Sequence, residues 1–403
     1  MDANATVERG LGFARSSPGA AAVAAFAALL LLDLLAKLAG VALGPLRTPW
    51  FALWFGGHVG LGQVAGYVWD GVVIGAIIGL ASIGLSLTYS ILNFANFAHG
   101  DYITAGAFSG WAATYVIAGI GGLLKISETA VHLLTGLGAH RLEDADLVSL
   151  VLLRTPPLQA GANIVLSPAA VVIGLAVAAA ATVALALVLD RLVYRPMRDA
   201  DGISLLIASI GVAFAVRYFV ALVFGNQRRI VTSGEDLPSV NLGGVIVDAH
   251  EVTLVVTAAV LMVGLHVLLQ RTKLGKAMRA MADNRSLAQV TGIPVERVIT
   301  STWLIGAGLT GAAGFLLVLS QGGLGFQTGW LLLLLVFAAV IMGGIGSIYG
   351  AIAGGLLIGL ASRVSLVWLQ GDLASFARPT AFALMILVLL FRPSGIFGGV
   401  KTA

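Results

Sequence analysis

Ten apolar runs, eight of them long enough to cross a lipid bilayer as a helix and the eighth and tenth in order shorter, constrain this chain more than any other feature. A hydrocarbon core about 30 Å thick requires about 20 apolar residues per helix, and backbone polar groups inside it must bond within the segment. The sequence therefore predicts an all-α polytopic integral membrane protein of about ten transmembrane helices, folded as a single domain over residues 1–403. The predicted spans are residues 18–43, 71–92, 102–124, 167–190, 203–225, 251–270, 298–320, 331–345, 349–369 and 376–392.

The composition excludes several classes of protein. Hydrophobic residues make up 59% of the chain and charged residues only 10%, whereas a soluble domain carries about 25% charged residues. The net charge is +4, but the 23 basic residues form no dense stripe, so the expected partner is the lipid bilayer and not nucleic acid. The chain has no cysteine, which excludes disulfides, thiolate metal sites and a cysteine nucleophile.

The distribution of lysine and arginine predicts the orientation of the helices. Loop 271–297 contains six basic residues and segment 191–198 contains three. In the ten-helix interpretation both lie on the same side as the two termini, and the positive-inside rule places that side in the cytoplasm. Residues 1–17 are then a cytoplasmic tail, residues 125–166 are an extracytoplasmic insertion, and the protein is a multi-pass component of the cell membrane.

Two local patterns predict specific contacts. Asp33 and Lys37 are four residues apart, hence on one helical face and able to pair, and we interpret them as a packing element and not as a transport site. In loop 226–250, two short β-prone runs flank Gly243 and Gly244, which predicts a small hairpin outside the membrane.

Motifs for nucleotide binding and for hydrolysis are absent from the sequence. The segment GKA at 275–277 lacks the following Ser or Thr and the upstream glycine of a P-loop, so this chain is not expected to bind ATP. No H-E-x-x-H or G-x-S-x-G spacing occurs, so neither a metal, a cofactor nor enzymatic activity is expected. Membrane runs flank the glycines of GGIGSIYG, so these glycines are expected to pack helices closely. They are Gly343, Gly344, Gly346 and Gly350.

The basic loop between the sixth and seventh spans contains the pattern of a short surface helix. Its first part reads as an amphipathic extension of the preceding span. Asp283 or Asn284 offers an N-cap, and Gly292 and Pro294 offer a stop, so a helix is predicted over 285–290. The pattern alone leaves two interpretations open, an ordinary capped connector and a docking site for a cytoplasmic partner.

Five motifs, in the order of the chain, carry a resemblance to a known family. The chain resembles the permease subunits of branched-chain amino acid ABC importers from residue 70 to the C-terminus, apart from the insertion. The motifs are SLTYSILNFANFAHGD (86–101), YRPMRDADGISLLIASIG (194–211), RTKLGKAMRAMADNRSLAQVTGIPVERV (271–298), VIMGGIGSIYGAIAGGLLIG (340–359) and LLFRPSGIFG (389–398).

The resemblance implies one half of a pore that moves branched-chain or related amino acids inward. The implied partners are a second homologous permease, two cytoplasmic ATPase subunits that bind the ATP, and an extracytoplasmic solute-binding protein. Urea and short-amide importers share the same signatures and form the first alternative. An ion-coupled carrier acting alone is the second, and it would need intramembrane acids, for which only Asp33 and Asp101 qualify.

The resemblance also implies a coupling helix. In the family, a cytoplasmic helix with an alanine and a following glycine is gripped by the ATPases, and Ala288 and Gly292 stand at these positions. The residues assigned to this element are Asn284, Arg285, Ala288, Gly292 and Pro294.

The family signature at residues 96–101 places polar groups next to an apolar span. A broken helix is tolerated in a membrane only where it is buried in protein or lines a water-filled path. One hypothesis therefore places 93–101 beside the translocation path or its cytoplasmic gate, and the other makes it the solvated cytoplasmic turn of a helical hairpin. The residues concerned are Asn93, Asn96, His99 and Asp101.

Two arginines depart from the family pattern. Arg217 stands where the family usually has an uncharged residue, and Arg363 stands where members often carry an acid. Arg217 is about 12 Å from the outer end of its span at helical rise. It is expected to snorkel outward, to pair with an acid of the partner permease, or to meet a substrate carboxylate, and it completes the set of path candidates.

Overall fold

A computed structural model describes residues 18–47, 52–119, 147–160, 162–232 and 237–398. Its helices are α1 (Pro18–Leu38), α2 (Leu61–Leu92), α3 (His99–Ala118), α4 (Leu147–Val151), α5 (Pro157–Ala160), α6 (Pro168–Leu189), α7 (Gly202–Phe224), α8 (Ala249–Arg271), α9 (Lys273–Asp283), α10 (Arg285–Val290), α11 (Val295–Gln321), α12 (Thr328–Gly343), α13 (Ile348–Val364) and α14 (Ala377–Phe391). A π-helical turn, Asp190–Tyr194, continues α6, and two 3-10 turns, Ser365–Val367 and Gly371–Phe376, lie between α13 and α14. The strands are β1 (Ala42–Arg47), β2 (Ala52–Gly56), β3 (Arg229–Ile230), β4 (Ser239–Leu242), β5 (Val245–Asp248) and β6 (Gly323–Leu324), paired as β1–β2, β3–β6 and β4–β5.

Each predicted span coincides with a helix, so the all-α polytopic class is confirmed. Within the described part of the chain, seven helices are long and apolar enough to cross a membrane. They are α2, α6 with its π turn, α7, α8, α11, α13 with the 3-10 turn after it, and α14 with the 3-10 turn before it. α12 is apolar but has only 16 residues. The count of ten spans and the cytoplasmic position of both termini stay predictions.

Several predicted boundaries were wrong. α1 ends at Leu38, short of residue 43, because the following residues pair with β2 as strand β1. α2 begins at Leu61 and not at residue 71, since the apolar stretch 50–69 is divided between β2 and the first turns of α2. α3 runs from His99 to Ala118, and its first turn includes residues predicted to precede the span. The tail 1–17 and most of the insertion 125–166 lie outside the described residues.

α2 is the central helix of the bundle. Its apolar segment is 94% buried inside the protein, whereas the corresponding segments of α8 and α14 are 22% and 6% buried. α2 crosses α13 at small residues, and a Cβ at Gly355 would collide with the backbone of Gly79. Small residues let membrane helices approach until their backbones touch, which is the role glycine has here.

The helices at the edge of the bundle expose apolar side chains. Leu222 and Phe219 of α7 are 82% and 65% exposed, Val260 of α8 is 64% exposed, and Leu390 of α14 is 75% exposed. A contiguous apolar surface of this kind is unstable in water. It fits helices that face lipid or another membrane subunit.

The predicted pair of Asp33 and Lys37 is present and buried. The Lys37 ammonium lies 2.6 Å from the Asp33 carboxylate, which also accepts hydrogen bonds from Trp368 Nε1 at 2.9 Å and from the Gly56 amide at 2.6 Å. The carboxylate thereby joins α1 to β2 and to the segment after α13. This arrangement agrees with the interpretation of the pair as a packing element.

The hairpin predicted in loop 226–250 is confirmed. β4 and β5 pair antiparallel from Leu242 and Val245 outward. The two residues of the turn, Gly243 and Gly244, have φ of 64° and 99°. Glycine adopts both values without steric cost, which explains the pattern.

Candidate translocation and coupling site

Segment 93–98 interrupts the helical path between α2 and α3. Asn93 ends α2 in the left-handed region with φ 56°. α3 begins at His99, whose Nε2 is hydrogen-bonded to the carbonyl oxygen of Ala81 at 2.9 Å. Ala81 lies about 16 Å from the end of α2 at 1.5 Å per residue. The chain therefore folds back into the bundle before α3 begins, and the N-terminus of α3 lies inside the protein.

The polar side chains of this region are buried, with one exception. Asn96, His99 and Asp101 are 0%, 2% and 0% exposed, whereas Asn93 is exposed. For the three buried residues, this geometry does not match a solvated turn. It matches the requirement that a broken membrane helix be surrounded by protein or line a path.

Asp101 forms a bidentate pair with Arg217 of α7. Arg217 Nε and Nη2 each donate to one carboxylate oxygen at 2.9 Å, and the two side chains are 0% and 7% exposed. The guanidinium also lies over the ring of Trp330, 4.3 Å from its centroid. Arg217 therefore pairs with an acid of its own chain and does not snorkel outward. The Asp101 carboxylate additionally occupies the first turn of α3, where the helix dipole favours a negative charge.

The first turns of α3 and α12 touch at two glycines. A Cβ at Gly329 would collide with the carbonyl oxygen of Gly100. The Gly329 amide donates to Thr104 Oγ1 at 3.0 Å. This contact fixes the next residue of α12, Trp330, over the guanidinium of Arg217.

A polar network begins at Asn96 and leads away from segment 93–98. The Tyr194 hydroxyl donates to Asn96 Oδ1 at 3.2 Å. The Tyr194 ring stacks on Trp303 of α11, with centroids 5.5 Å apart and an interplanar angle of 16°. Trp303 Nε1 donates to the Asp190 carboxylate at 2.8 Å. The π turn after α6 therefore presents both Asp190 and Tyr194 to α11.

The network continues to the beginning of α11. Arg198 Nη2 donates to Asp190 Oδ2 at 3.0 Å, and Arg198 Nη1 donates to Glu296. Glu296 lies in the first turn of α11, and Pro294 directly precedes this helix. The network thus connects the end of the basic loop with segment 93–98.

Three buried polar atoms of this region have no hydrogen-bond partner among the described residues. They are Asn96 Nδ2, Tyr102 Oη and Arg198 Nε. A buried polar group without a partner costs about 1–3 kcal/mol. Such atoms are rare in native proteins, so the hydrogen bonding around Asn96 and Arg198 is less complete than elsewhere in the described part of the bundle.

α9 does not continue α8, contrary to the prediction of one extended helix. α8 ends at Arg271, and the extended Thr272 caps the next helix by accepting a hydrogen bond from the Gly275 amide at 3.1 Å. A Cβ at Gly275 would collide with the backbone of Leu269. α9 therefore turns back against the end of α8, and glycine is needed for this close approach.

The short helix predicted over 285–290 is present as α10. Asn284 Oδ1 accepts a hydrogen bond from the Leu287 amide at 2.9 Å, and Gly292 follows the helix with φ 85°. Ala288 is 3% exposed and faces the bundle. Leu287 and Val290 are 60% and 85% exposed, so α10 presents apolar side chains outward at the polar end of the molecule.

The glycines of GGIGSIYG form the turn between α12 and α13. Gly344 and Gly346 have φ of 105° and 86°. A Cβ at Gly343 would collide with the carbonyl oxygen of Gly350. The structure therefore brings these residues together in a tight helix-to-helix turn.

The arrangement suits the transmission of movement more than bond chemistry. Within the described ranges, no three His, Cys, Asp or Glu side chains are grouped so that they could hold a metal ion. The polar groups instead form two clusters, the pair of Asp101 with Arg217 and the network from Asn96 to Glu296.

The comparisons with known proteins agree with the helices and motifs. A family model described as "Branched-chain amino acid transport system / permease component" matches residues 67–391. The chain belongs to this family. The match begins in the first turns of α2 and ends with α14, so it includes both clusters and α10. Membership and the apolar helices together make the chain a multi-pass transport permease of the plasma membrane.

Three curated relatives of this permease carry a branched-chain amino acid designation. It is 29% identical over 337 residues to the high-affinity branched-chain amino acid transport system permease protein BraD of Pseudomonas aeruginosa, an alignment covering 82% of this chain and 94% of that protein. The Escherichia coli K12 protein LivH is 29% identical over 336 residues, with the same coverage. A probable LivH of Methanocaldococcus jannaschii is 26% identical over 332 residues, covering 81% of this chain and 90% of that protein. No solved structure matches the permease.

Sequence reasoning missed the middle of the polar network. Arg198 was counted only as a basic residue of segment 191–198, and Asp190, Glu296 and Trp303 were not singled out. The available signal was Asp190 at the end of the fourth predicted span, since a carboxylate at a membrane boundary needs a partner. Its partners come from two separate segments, which the sequence alone does not bring together.

Proposed function

We propose that this permease forms one half of the pore of an ABC importer for branched-chain or related amino acids. In this proposal two cytoplasmic ATPase subunits bind and hydrolyse the ATP, and this chain holds no cofactor. A second homologous permease completes the pore, and an extracytoplasmic binding protein delivers the solute. The names of the relatives BraD of Pseudomonas aeruginosa and LivH of Escherichia coli support the choice of solute class.

The observation that carries this proposal is the continuous connection from α10 to the broken helix at 93–98. α10 offers exposed Leu287 and Val290 for docking. After α10 the chain enters α11 at Glu296, and the hydrogen bonds of Arg198 and Asp190 lead from there into the bundle. An ATPase that moves α10 would therefore move the start of α11 and the polar network with it.

The broken helix is the proposed gate of the translocation path. Asn96 receives the end of the network through Tyr194, and His99 and Asp101 follow at the buried start of α3. Rearranging hydrogen bonds at Asn96 would shift the N-terminus of α3 relative to α2. Asn93 and Arg217 border this region, Asn93 at the surface and Arg217 as the partner of Asp101.

The two acids that an ion-coupled carrier would use are both paired. Asp33 lies against Lys37 and Asp101 lies against Arg217. A carboxylate neutralised by an adjacent cation is a poor site for a coupling ion, because binding the ion would first require the pair to separate. This geometry favours a permease driven by partner subunits.

A co-purification from native membranes tests the proposal. The tagged permease is solubilised in mild detergent and the associated proteins are identified by mass spectrometry. We expect two ATPase subunits and a second permease, and we expect the ATPases to be lost in Val290→Asp, which places a charge on the docking face of α10. The matched control is Val240→Asp, in which a 58% exposed valine of strand β4 receives the same change far from α10.

The result that opposes the proposal is equally specific. A chain that purifies alone and moves leucine into liposomes without ATP would make it a self-contained carrier. Retention of the ATPases in Val290→Asp would remove α10 from the docking role.

A further inference from the structure

A cavity of about 780 Å³ opens at the end of the bundle opposite to α10. It lies where α11 ends at Gln321, where α12 begins at Thr328 and where α14 begins at Ala377, and all three residues line it. Arg228, Arg363 and Arg378 also line it. Among the described residues, no Asp or Glu belongs to the lining. The cavity is therefore a cationic basin.

The three arginines of the basin are not used by the protein for internal pairing. Their guanidinium groups form no ion pair within 4.0 Å and no hydrogen bond with another described residue, and Asp70 interacts with Arg363 only electrostatically. The neighbouring Arg229 provides the contrast, because its guanidinium donates to the carbonyls of Leu152, Leu153 and Phe224. One arginine of this adjacent pair is thus structural, and Arg228 is left directed toward the basin.

Two of these arginines occupy unfavourable positions: Arg378 for electrostatic reasons and Arg228 for steric reasons. Arg378 lies in the first turn of α14, where the helix dipole disfavours a positive charge. The guanidinium of Arg228 lies against Gly323, where a Cβ would be 2.6 Å from Nη2. Positions that cost stability without an internal partner indicate a ligand of opposite charge.

The inner wall of the basin is apolar. Leu331 of α12 lines it and is 53% exposed, and Ile78 of α2, Leu317 of α11 and Leu332 of α12 form the buried layer behind this surface. Ile74 of α2 and Leu335 of α12 line it too and are partly exposed. A ligand that fits both surfaces carries an anion at one end and an aliphatic group at the other.

We propose that this basin binds a small aliphatic monocarboxylate, with the carboxylate on Arg363 and Arg378 and the aliphatic group against Ile74 of α2 and Leu331 and Leu335 of α12. Arginine suits this task because its planar donors match the two oxygens of a carboxylate. Asp70 of α2 interacts electrostatically with Arg363 but lies outside the lining. Asp372, on the 3-10 turn before α14, lies outside the lining.

This inference rests on the proposed function and narrows it. A basin with three guanidinium groups that lack hydrogen-bonded acids favours an α-carboxylate over a neutral sugar, urea or amide, because a neutral solute leaves these donors without a carboxylate. The permease would then contribute to selection itself, in addition to any binding protein. Arg363, one of the two departures from the family pattern, would be a specificity-determining residue.

Ligand-observed saturation-transfer NMR on the full chain in lipid nanodiscs tests the basin. The probes are L-leucine, 4-methylpentanoate, L-leucinamide and inorganic phosphate at constant ionic strength, with empty nanodiscs as the blank. We expect L-leucine and 4-methylpentanoate to bind and L-leucinamide to give no signal. Arg363→Gln should weaken L-leucine binding about tenfold, since hydrogen bonds to a charged group are lost. Arg363→Lys should lose less, because it keeps the charge.

The matched control is Arg271→Gln, an exposed arginine at the α10 end of the bundle, which should bind L-leucine as the unmodified chain does. Equal binding of L-leucine to Arg363→Gln, equal binding of L-leucinamide, or no binding to the unmodified chain would each overturn the inference. If phosphate displaces L-leucine at equal concentration, the basin is a general anion site, and the proposed contact with an aliphatic group is wrong. Acidic side chains of a partner protein remain as occupants in that case.

Failure of this inference is distinguishable from failure of the proposed function. ATP-dependent leucine uptake by the assembled importer tests the function. If the importer takes up leucine and the Arg363→Gln variant binds L-leucine as tightly as the unmodified chain, only the basin proposal is refuted. A permease that binds L-leucine through Arg363 but assembles with no ATPase refutes only the importer.

Discussion

The pair of Asp101 and Arg217 makes a quantitative prediction about stability. Its two hydrogen bonds are each 2.9 Å long, and its side chains are 0% and 7% exposed, so neither charge has water as an alternative partner. Removing one partner of a buried ion pair costs about 3–5 kcal/mol because it leaves the other charge uncompensated. We therefore expect Asp101→Asn and Arg217→Gln each to lower the free energy of unfolding by about that amount.

The double variant Asp101→Asn/Arg217→Gln separates pairing from the individual side chains. If most of the cost comes from the abandoned charge, the double variant should lose about as much as one single variant and not the sum. Replacing the pair by Asp101→Leu/Arg217→Met should be closer to the unmodified chain, since apolar groups of similar volume often substitute for a buried pair. Part of the cost will persist, because Arg217 also lies over Trp330.

Unfolding by sodium dodecyl sulfate in mixed micelles, followed by tryptophan fluorescence, measures these free energies. Arg271→Gln is the matched control, since Arg271 is exposed and the same substitution should change the free energy by less than about 1 kcal/mol. Additive losses in the double variant, or an Arg217→Gln variant within about 1 kcal/mol of the unmodified chain, would refute the reasoning. The same stability argument predicts that Arg217→Gln lowers uptake of every solute equally.

Three further changes have expected outcomes. Gly350→Ala should lower the free energy of unfolding by about 1–3 kcal/mol, because its Cβ would collide with the backbone of α12. The control Gly264→Ala on α8, with open space around it, should be neutral or stabilising by up to about 1 kcal/mol. Unfolding by sodium dodecyl sulfate measures both free energies. Gly292→Ala should reduce ATP hydrolysis by the assembled importer, because φ of 85° costs a non-glycine residue about 1–2 kcal/mol, and Gly292→Asn should retain more activity. Glu296→Gln should weaken the contact with Arg198 and lower the ratio of leucine imported to ATP hydrolysed. Its side chain is 55% exposed, so stability should fall by less than about 1 kcal/mol, and unchanged import would remove the network from coupling.

Features with local causes could be predicted from the sequence. α10 was predicted with its bounds because its start and stop depend on neighbours in the chain, Asn284 as the cap and Gly292 as the left-handed residue after it. The hairpin of β4 and β5 was predicted because a two-glycine turn between β-prone runs has few alternatives. The positions of the helices followed from the length that a bilayer requires.

Features with distant causes were less accessible. The start of α2 was predicted ten residues late because periodicity does not tell a membrane span from its extension beyond the membrane. The break between α8 and α9 depends on Gly275 packing against Leu269, a tertiary contact within an otherwise continuous helical pattern. The pairing of Arg217 with Asp101 joins residues 116 positions apart. The sequence predicted snorkelling, an acid of the partner permease or a substrate carboxylate for Arg217, and none of these was the Asp101 that the arrangement of α3 and α7 brings to it.

The two polar clusters differ in a way that assigns them different mechanical roles. The Asp101 and Arg217 pair is satisfied by two direct hydrogen bonds and a ring contact, so separating it is costly, and α3 and α7 should move as one body. In the other cluster, Asn96 and Arg198 each keep a buried nitrogen without a partner. Hydrogen bonds there can exchange at low cost, because a nitrogen that is now unpaired can donate to a new acceptor when a neighbouring bond breaks. Movement transmitted from α10 should therefore be absorbed around Asn96 while the Asp101 end of α3 stays fixed to α7, which makes segment 93–98 the hinge of the proposed gate.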